Sequence, residues 1–155
     1  MSDFTVFDVE YPPHVKQRVI VNTDAKNEAD DQYAIVQAVL TPSFDLHGII
    51  PAHFGDLKSK TSLKDSHDET MKCLELMGLE NDVRIEDGAT HAMPDENTPV
   101  DSAGARLIIE QALKDDDRPL FIAFYGPLTD MALALLLEPK MAHSNIVVVW
   151  IGGGA

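Results

Sequence analysis

Val19-Ile20-Val21-Asn22-Thr23-Asp24-Ala25-Lys26-Asn27-Glu28-Ala29-Asp30-Asp31 runs from a β-branched segment into a cluster of acids and then into a helical pattern. Val19–Val21 predicts a strand, because β-branched side chains pack well on a pleated surface. Across Ala29–Leu40 the apolar residues Ala34, Ile35, Ala38 and Val39 recur at helical spacing. Thr41-Pro42 ends that helix, since the residue before a proline is pushed out of the α region. Strand, acidic turn and helix in immediate succession open a β–α unit.

The alternation continues outward. Leu46–Ala52 reads as a second strand. Asp65–Leu79 reads as a second helix, with Met71, Leu74 and Met77 on one face and Gly78 as its C-cap. Val83–Ile85 reads as a short third strand and Ser102–Leu113 as a helix with Ala105, Ile108, Ile109 and Ala112 in register. Leu120–Phe124 is a fourth strand, Leu128–Leu137 a helix with Pro127 near its start, and Ile146–Ile151 a fifth strand. Such alternation predicts an α/β fold: an open, mainly parallel, twisted sheet with helices on both faces. Phe121–Phe124 and Ile146–Ile151 are almost wholly apolar, as expected of central strands covered on both sides. There is no repeat or low-complexity tract, and the 155 residues suit one domain with a real core.

The formal net charge of −14 argues against nucleic acid or an anionic membrane as partner, since both reward clustered Lys and Arg. No apolar run reaches the roughly 18 residues of a membrane span. The opening MSDFTVFDVEYPPH lacks the basic and apolar regions of a signal peptide. The single cysteine, Cys73, has no internal partner for a disulfide, and it sits on the second helix beside Leu74. It reads as a reduced core thiol rather than a nucleophile, and a cytoplasmic location is expected.

In parallel α/β sheets ligands bind outside the carboxyl ends of the strands. The first such edge carries Asp24, Asp30 and Asp31; the second His53, Gly55 and Asp56; the third Asp87-Gly88-Ala89-Thr90-His91; the fourth Tyr125–Asp130; the fifth Gly152–Gly154. The acids concentrate at the first. Asp24 ends the strand and Asp31 lies in the first helical turn, so the two can converge. Carboxylates forced together repel unless a cation neutralises them. Ca²⁺ suits an irregular all-oxygen site, whereas Mg²⁺ is stricter in geometry. Asp30 and Asp31 read equally well as acids complementing a helix N-terminus, and residue pattern alone leaves both readings open. An EF-hand loop is excluded, because no glycine makes its turn and no Glu closes it.

The string VIVNTDAKNEADDQYAIVQAVL (Val19–Leu40) resembles the N-terminal signature of the inosine-uridine preferring nucleoside hydrolase superfamily, a strand followed by D-x-D-P-G-x-D-D and a helix. Tyr125-Gly126-Pro127-Leu128-Thr129-Asp130-Met131-Ala132-Leu133-Ala134 resembles the family's G-P-L-T-N-x-A-x-A, and Val147–Gly154 its strand ending in G-G. Cys73–Gly78 and Glu86–Ala89 resemble the intervening helix and the strand-to-Gly-Ala turn. The pieces occur in the family's order from about Arg18 onward.

The resemblance implies hydrolysis of the N-glycosidic bond between ribose and a base, a small-molecule nucleoside or ribosyl substrate, and a homo-oligomer. Carried over by position, Asp24, Asp31 and the backbone carbonyl of Thr129 would hold Ca²⁺, and Asp30 would bond a ribose hydroxyl. Asp24 would also be the general base for water held at the metal. Asp56 and His91, just after strands, are further candidates for substrate contact. The resemblance also implies that the chain is the N-terminal half of a domain of ~300 residues, above the usual mode.

Several positions depart from the motif. Asn22 stands where the family has the first Asp of D-x-D, and Asp130 where it has Asn after G-P-L-T, a position expected to cap or solvate the helix. Ala25-Lys26-Asn27-Glu28-Ala29 replaces the Pro-Gly turn and is two residues longer, the mark of a divergent branch. Gly55-Asp56 replaces Gly-Asn. His53 also follows a strand and reads as a wall residue or a substitute acid; His67 reads as a surface residue. Gly152–Gly154 lacks the Lys-Ser/Thr of a phosphate loop and lets backbone pass close by. The alternative to an enzyme is a catalytically incomplete protein of the same fold that binds Ca²⁺ or a sugar. A phosphohydrolase using Asp24 as nucleophile lacks its expected motif.

Overall fold

A computed structural model describes residues 10–152. In chain order it contains β1 (Gln17–Thr23), α1 (Asp30–Leu40), β2 (Phe44–Pro51), α2 (Ser62–Met77), α3 (Ala103–Ala112), β3 (Leu120–Phe124), α4 (Thr129–Leu137) and β4 (Ile146–Trp150). Short 3-10 turns lie at Pro13–Val15 and Pro139–His143. Residues 1–9, where a leader was sought, and Gly153 and Gly154 lie outside the described residues.

The four strands form one parallel sheet in the order β2-β1-β3-β4. The chain therefore leaves β1 toward β2, then crosses back to β3 on the other side. That reversal puts a crevice at the carboxyl ends of β1 and β3. Helices cover both faces. Ile20, Ile50, Ile122 and Phe124 pack against Leu107 and Ile108 of α3 and Leu133 and Ala134 of α4. On the opposite face Val19, Val21 and Ile49 pack against Ile35 and Ala38 of α1 and Cys73 of α2. Alternate residues of β1 serve the two cores, which is why Val19, Ile20 and Val21 are all apolar.

The end of the sheet away from the crevice is held by charge. Arg18 is buried at the start of β1 and donates through Nη2 to the Gln111 carbonyl at 2.5 Å. Arg118 bridges Asp116 (2.6 Å) and Asp45 (2.9 Å), and its guanidinium holds the Asp116 carboxyl far below the usual range. These acids are structural, which leaves the opposite edge for chemistry.

Three expectations are corrected. Val83–Ile85 makes a single parallel bridge, Ile49 to Ile85, rather than a strand. Ile49 N–H donates to the Arg84 carbonyl and Glu86 N–H to the Ile49 carbonyl, and the Asp87-Gly88 turn follows before a ladder can extend. The buried face of α2 runs through Ser62, Ser66, Thr70, Cys73 and Leu74, with Met71 and Met77 only partly covered. Its C-cap is Gly78, in the left-handed conformation at φ 69°. Finally, β3 is central but β4 is the sheet edge among the described residues, with Val148, Val149 and Trp150 each more than 40% exposed. Only Ile146, at its start, packs against the core formed by α3 and α4.

Candidate functional site

All four strands end at one cleft of about 520 Å³. Asp24 follows β1, His53 and Phe54 follow β2, Tyr125-Gly126-Pro127 follow β3, and Trp150-Ile151-Gly152 close β4. Asn27, Glu28, Asp30 and Asp31 come from the acidic turn and the start of α1. The turn folds tightly, because Asn27 N–H donates to the Asp24 carbonyl at 2.7 Å. Lys26 pairs with Glu69 of α2 at 2.6 Å, and Lys58 donates to Asn27 Oδ1 at 2.6 Å. The longer turn is thereby tied to α2 and to the segment after β2.

Asp24 and Asp31 are 5% and 4% exposed, so two largely buried carboxylates line the cleft together. Burial, and then the charge of Asp31, push the Asp24 carboxyl up to about 6. Asn27 Nδ2, donating to Asp24 Oδ2 at 3.0 Å, partly offsets this. Burial also raises Asp31, against the opposing hydrogen bond from the Thr23 hydroxyl to Asp31 Oδ1. Neither carboxylate has a Lys or Arg partner among the described residues. Two buried acids with raised affinity for protons and no cationic side chain are the electrostatic signature of a functional site.

The opposite wall is built by close approach. A Cβ on Gly126 would lie 3.0 Å from Asp24 Cγ, so glycine is what lets the β3 exit loop pass against the carboxylate. Trp150 Nε1 donates to the Gly126 carbonyl at 3.0 Å and fixes that loop from the β4 side. His53 is buried, and its Nδ1 accepts the Gly55 N–H at 3.3 Å. That assigns the proton to Nε2, which donates to the Thr129 hydroxyl at 3.0 Å. Burial lowers the His53 pKa, so the ring is neutral near pH 7 with both nitrogens committed. It is placed as a wall rather than a free acid.

Asp24 and Asp31 fit a hard divalent cation in donor type, since both are acidic oxygens short of neutralising partners. They fall short in number: no group of three or more His, Cys, Asp or Glu among the described residues is arranged around one point. Ca²⁺ takes six to eight oxygens, so further donors are needed to complete its shell.

Among the residues named from sequence, the cleft gathers Asp24, Asp30 and Asp31. Thr129 opens α4 against His53, next to the lining. Asp56 and His91 are exposed and outside it; Asp56 pairs with Lys60 at 3.5 Å, and His91 Nδ1 with the Thr90 hydroxyl at 2.7 Å. His67 pairs with Asp87 at 2.6 Å on the surface. Asp130 does not face solvent at its helix start; it is 1% exposed and accepts three hydrogen bonds. Sequence reading missed Asn27, Phe54 and Trp150 as site residues. Each lies within a few positions of a strand end, which is the signal that would have found them.

Comparison with known proteins places this architecture. The family profile described as inosine-uridine preferring nucleoside hydrolase matches residues 19–155. A protein of Arabidopsis thaliana named probable uridine nucleosidase 2 is 24% identical over 161 residues, covering 89% of this chain and 48% of that protein. A solved plant nucleoside hydrolase superposes with a TM-score of 0.67 at 21% identity, over 89% of this chain and 48% of its own. A purine-preferring ribonucleoside hydrolase from Gardnerella vaginalis gives 0.66 at 21% identity, over 89% and 49%. A nucleoside hydrolase-related protein from Saccharophagus degradans, described as associated with carbohydrate metabolism, gives 0.63 at 26% identity, over 89% and 39%. The chain spans about half the length of the curated relative it matches.

Proposed function

The chain belongs to the inosine-uridine preferring nucleoside hydrolase family, and from that premise we propose that its cleft serves hydrolysis of the N-glycosidic bond of a ribonucleoside. The observation that carries this reading is the buried Asp24–Asp31 pair at the carboxyl edge of β1, with Asp24 pushed up to about 6. Asp24, Asp31 and the Thr129 carbonyl would hold Ca²⁺. When bound, the ion supplies positive charge that gathers vicinal ribose hydroxyls and acidifies a water.

The chain's own residues supply the rest. Asp24 accepts the proton of the attacking water as its oxygen bonds to C1′ and the bond from C1′ to the base nitrogen breaks. Without a metal the Asp24 carboxyl is pushed up to about 6 and is charged at pH 7, and a cation beside it would favour that charged form. Positive charge develops on the sugar in an oxocarbenium-like transition state, and the surrounding carboxylates stabilise it. Asp30, exposed on the cleft lining, bonds a ribose hydroxyl. Asn27 orients Asp24 Oδ2, and Phe54, Tyr125 and Trp150 offer aromatic surface to a base.

We further propose that the described fold is one half of a domain about twice its length. The open apolar strand β4 and the coverage of only 48% of the matched curated protein support this. Intact mass of the natural gene product tests it; a polypeptide of 155 residues would overturn it.

A second reading follows from the small donor set, namely binding of Ca²⁺ or a sugar without cleavage. Incubating the natural gene product with inosine, uridine and other nucleosides in the presence of Ca²⁺ separates the two. Release of free ribose that is lost in Asp24→Asn supports hydrolysis; Ca²⁺ binding lost in Asp31→Ala without any release supports the second reading.

A further inference from the structure

Asn22 and Asp130 meet in the core behind the cleft. Asn22 Nδ2 donates to Asp130 Oδ2 at 3.0 Å, and the two side chains are 0% and 1% exposed. The other oxygen of Asp130 accepts the Ala89 backbone N–H at 2.9 Å and the Ser102 hydroxyl at 2.7 Å. That hydroxyl in turn accepts the Ala105 N–H as the N-cap of α3. One carboxylate thus joins the end of β1, the turn after Ile85, the start of α3 and the first turn of α4. All its hydrogen-bond partners among the described residues are neutral. A buried carboxylate held only by hydrogen bonds is sensitive to the loss of any donor. Space is equally tight, since a Cβ on Gly88 would come within 2.5 Å of Asp130 Oδ2.

These two residues are also two of the positions where the chain departs from its family's motif. Asp stands in the motif where this chain has Asn22, and Asn where it has Asp130. The two departures touch. In this chain the contact holds one amide and one carboxylate, with the Asn22 amide donating and Asp130 accepting. Two carboxylates here would repel without a cation between them.

We propose that Asn22 and Asp130 form an exchanged carboxylate–amide pair, and that Asp130 acts through Asn22 as a positioning residue for Asp24. Asn22 lies two residues before Asp24, and its carbonyl accepts the Tyr125 N–H at 2.9 Å, beside the Gly126 that packs on Asp24. Thr129, adjacent to Asp130, is bonded to His53. The junction therefore fixes the wall that carries Asp24 and the wall opposite it. The positioning role rests on the reading of Asp24 as the working carboxylate.

The test is an exchange series in the full chain: Asn22→Asp, Asp130→Asn, and the double variant. Three quantities are read: Ca²⁺ affinity by calorimetry with the metal alone, the thermal midpoint, and the native-state emission of Trp150, the single tryptophan. Asp130→Asn is the mild single variant. Its amide oxygen still accepts from Ala89 and Ser102, and Asn22 can turn toward its NH₂ group the Oδ1 that now lacks a partner. Asn22→Asp alone is expected to weaken Ca²⁺ binding by at least about tenfold, the scale of outer-shell partners of a metal site. It is also expected to shift Trp150 emission, or not to fold. The double variant is expected to fold, with affinity and emission close to those of the starting protein. A double variant as impaired as Asn22→Asp alone overturns the pairing. Unchanged emission and affinity in a folded Asn22→Asp overturns the positioning role. If the starting protein gives no Ca²⁺ signal, the metal reading of Asp24 fails by itself; midpoint and emission still decide the pair, recovery in the double variant supporting it and additive losses overturning it.

Discussion

Gly126 lies against the Asp24 carboxylate so closely that a β-carbon there would stand 3.0 Å from Asp24 Cγ and 3.1 Å from Asp24 Cβ. The β3 exit loop and the β1 exit turn are therefore one packed unit, with Trp150 bonded to the Gly126 carbonyl behind them.

Gly126→Ala is expected to displace Asp24 by a few tenths of an ångström while leaving the fold intact. Overpacking of this kind costs about 1–3 kcal/mol. The thermal midpoint falls modestly, whereas Ca²⁺ affinity in calorimetry falls by about tenfold. Affinity unchanged in the variant would show that the contact does not matter to the site.

The acid pair makes metal-free stability depend on pH in a definite sense. Asp24 titrates near 3.8 when unfolded and about 6 when folded, so the folded state binds its proton more tightly. Its stabilising contribution is fully present below 3.8 and is lost as pH rises through about 6. Asp31, raised in the same direction by burial, adds to the loss. Urea midpoints in EDTA are expected to fall across this range, and saturating Ca²⁺ to restore them near pH 7. Because buried His53 and His47 contribute with the opposite sign, the comparison is with Asp24→Asn, and a pH slope unchanged in that variant would contradict the burial of the pair.

Asp24→Asn removes a buried charge and the proposed base together. The variant is expected to be as stable as the original protein or more so at pH 7 without metal, by thermal melting. Hydrolysis by the natural gene product is expected to drop by roughly a hundred- to ten-thousand-fold, the usual contribution of a general base. A variant that unfolds more easily and still turns over would place the base elsewhere.

Asp56 and His91 provide the contrast. Both are exposed and outside the cleft, so Asp56→Ala and His91→Ala are expected to change stability by less than about 0.5 kcal/mol. Ribose binding measured by calorimetry should not change in either variant. A tenfold loss in one of them would bring that residue into the site.

The strand, turn and helix of Val19–Leu40 were legible because each carries a strong local signal: β-branching, clustered acids and a helical period. Burial order was less legible. The face of α2 is misplaced because Ser66 and Thr70, which look like surface residues, are fully buried, while Met71 and Met77 are only partly covered. Val83–Ile85 shows strand composition, but pairing depends on partners distant in sequence, and only Ile49 is in register. The role of β4 could not be read from its apolar residues, which mark a covered strand, whereas Val147 to Trp150 are exposed and only Ile146 packs on the core. Asp130 was misread because a helix-start acid looks like a surface acid. Its burial comes from Asn22, Ala89 and Ser102, which only the fold brings together.

The central claim is that the Asp24–Asp31 cleft serves nucleoside hydrolysis. Its most direct test is ribose release from inosine and uridine by the natural gene product, with and without Ca²⁺, compared with Asp24→Asn. The account predicts release that requires Ca²⁺ and is lost in the variant. Release that is the same in the variant, or none from any nucleoside while Ca²⁺ is bound, would contradict it.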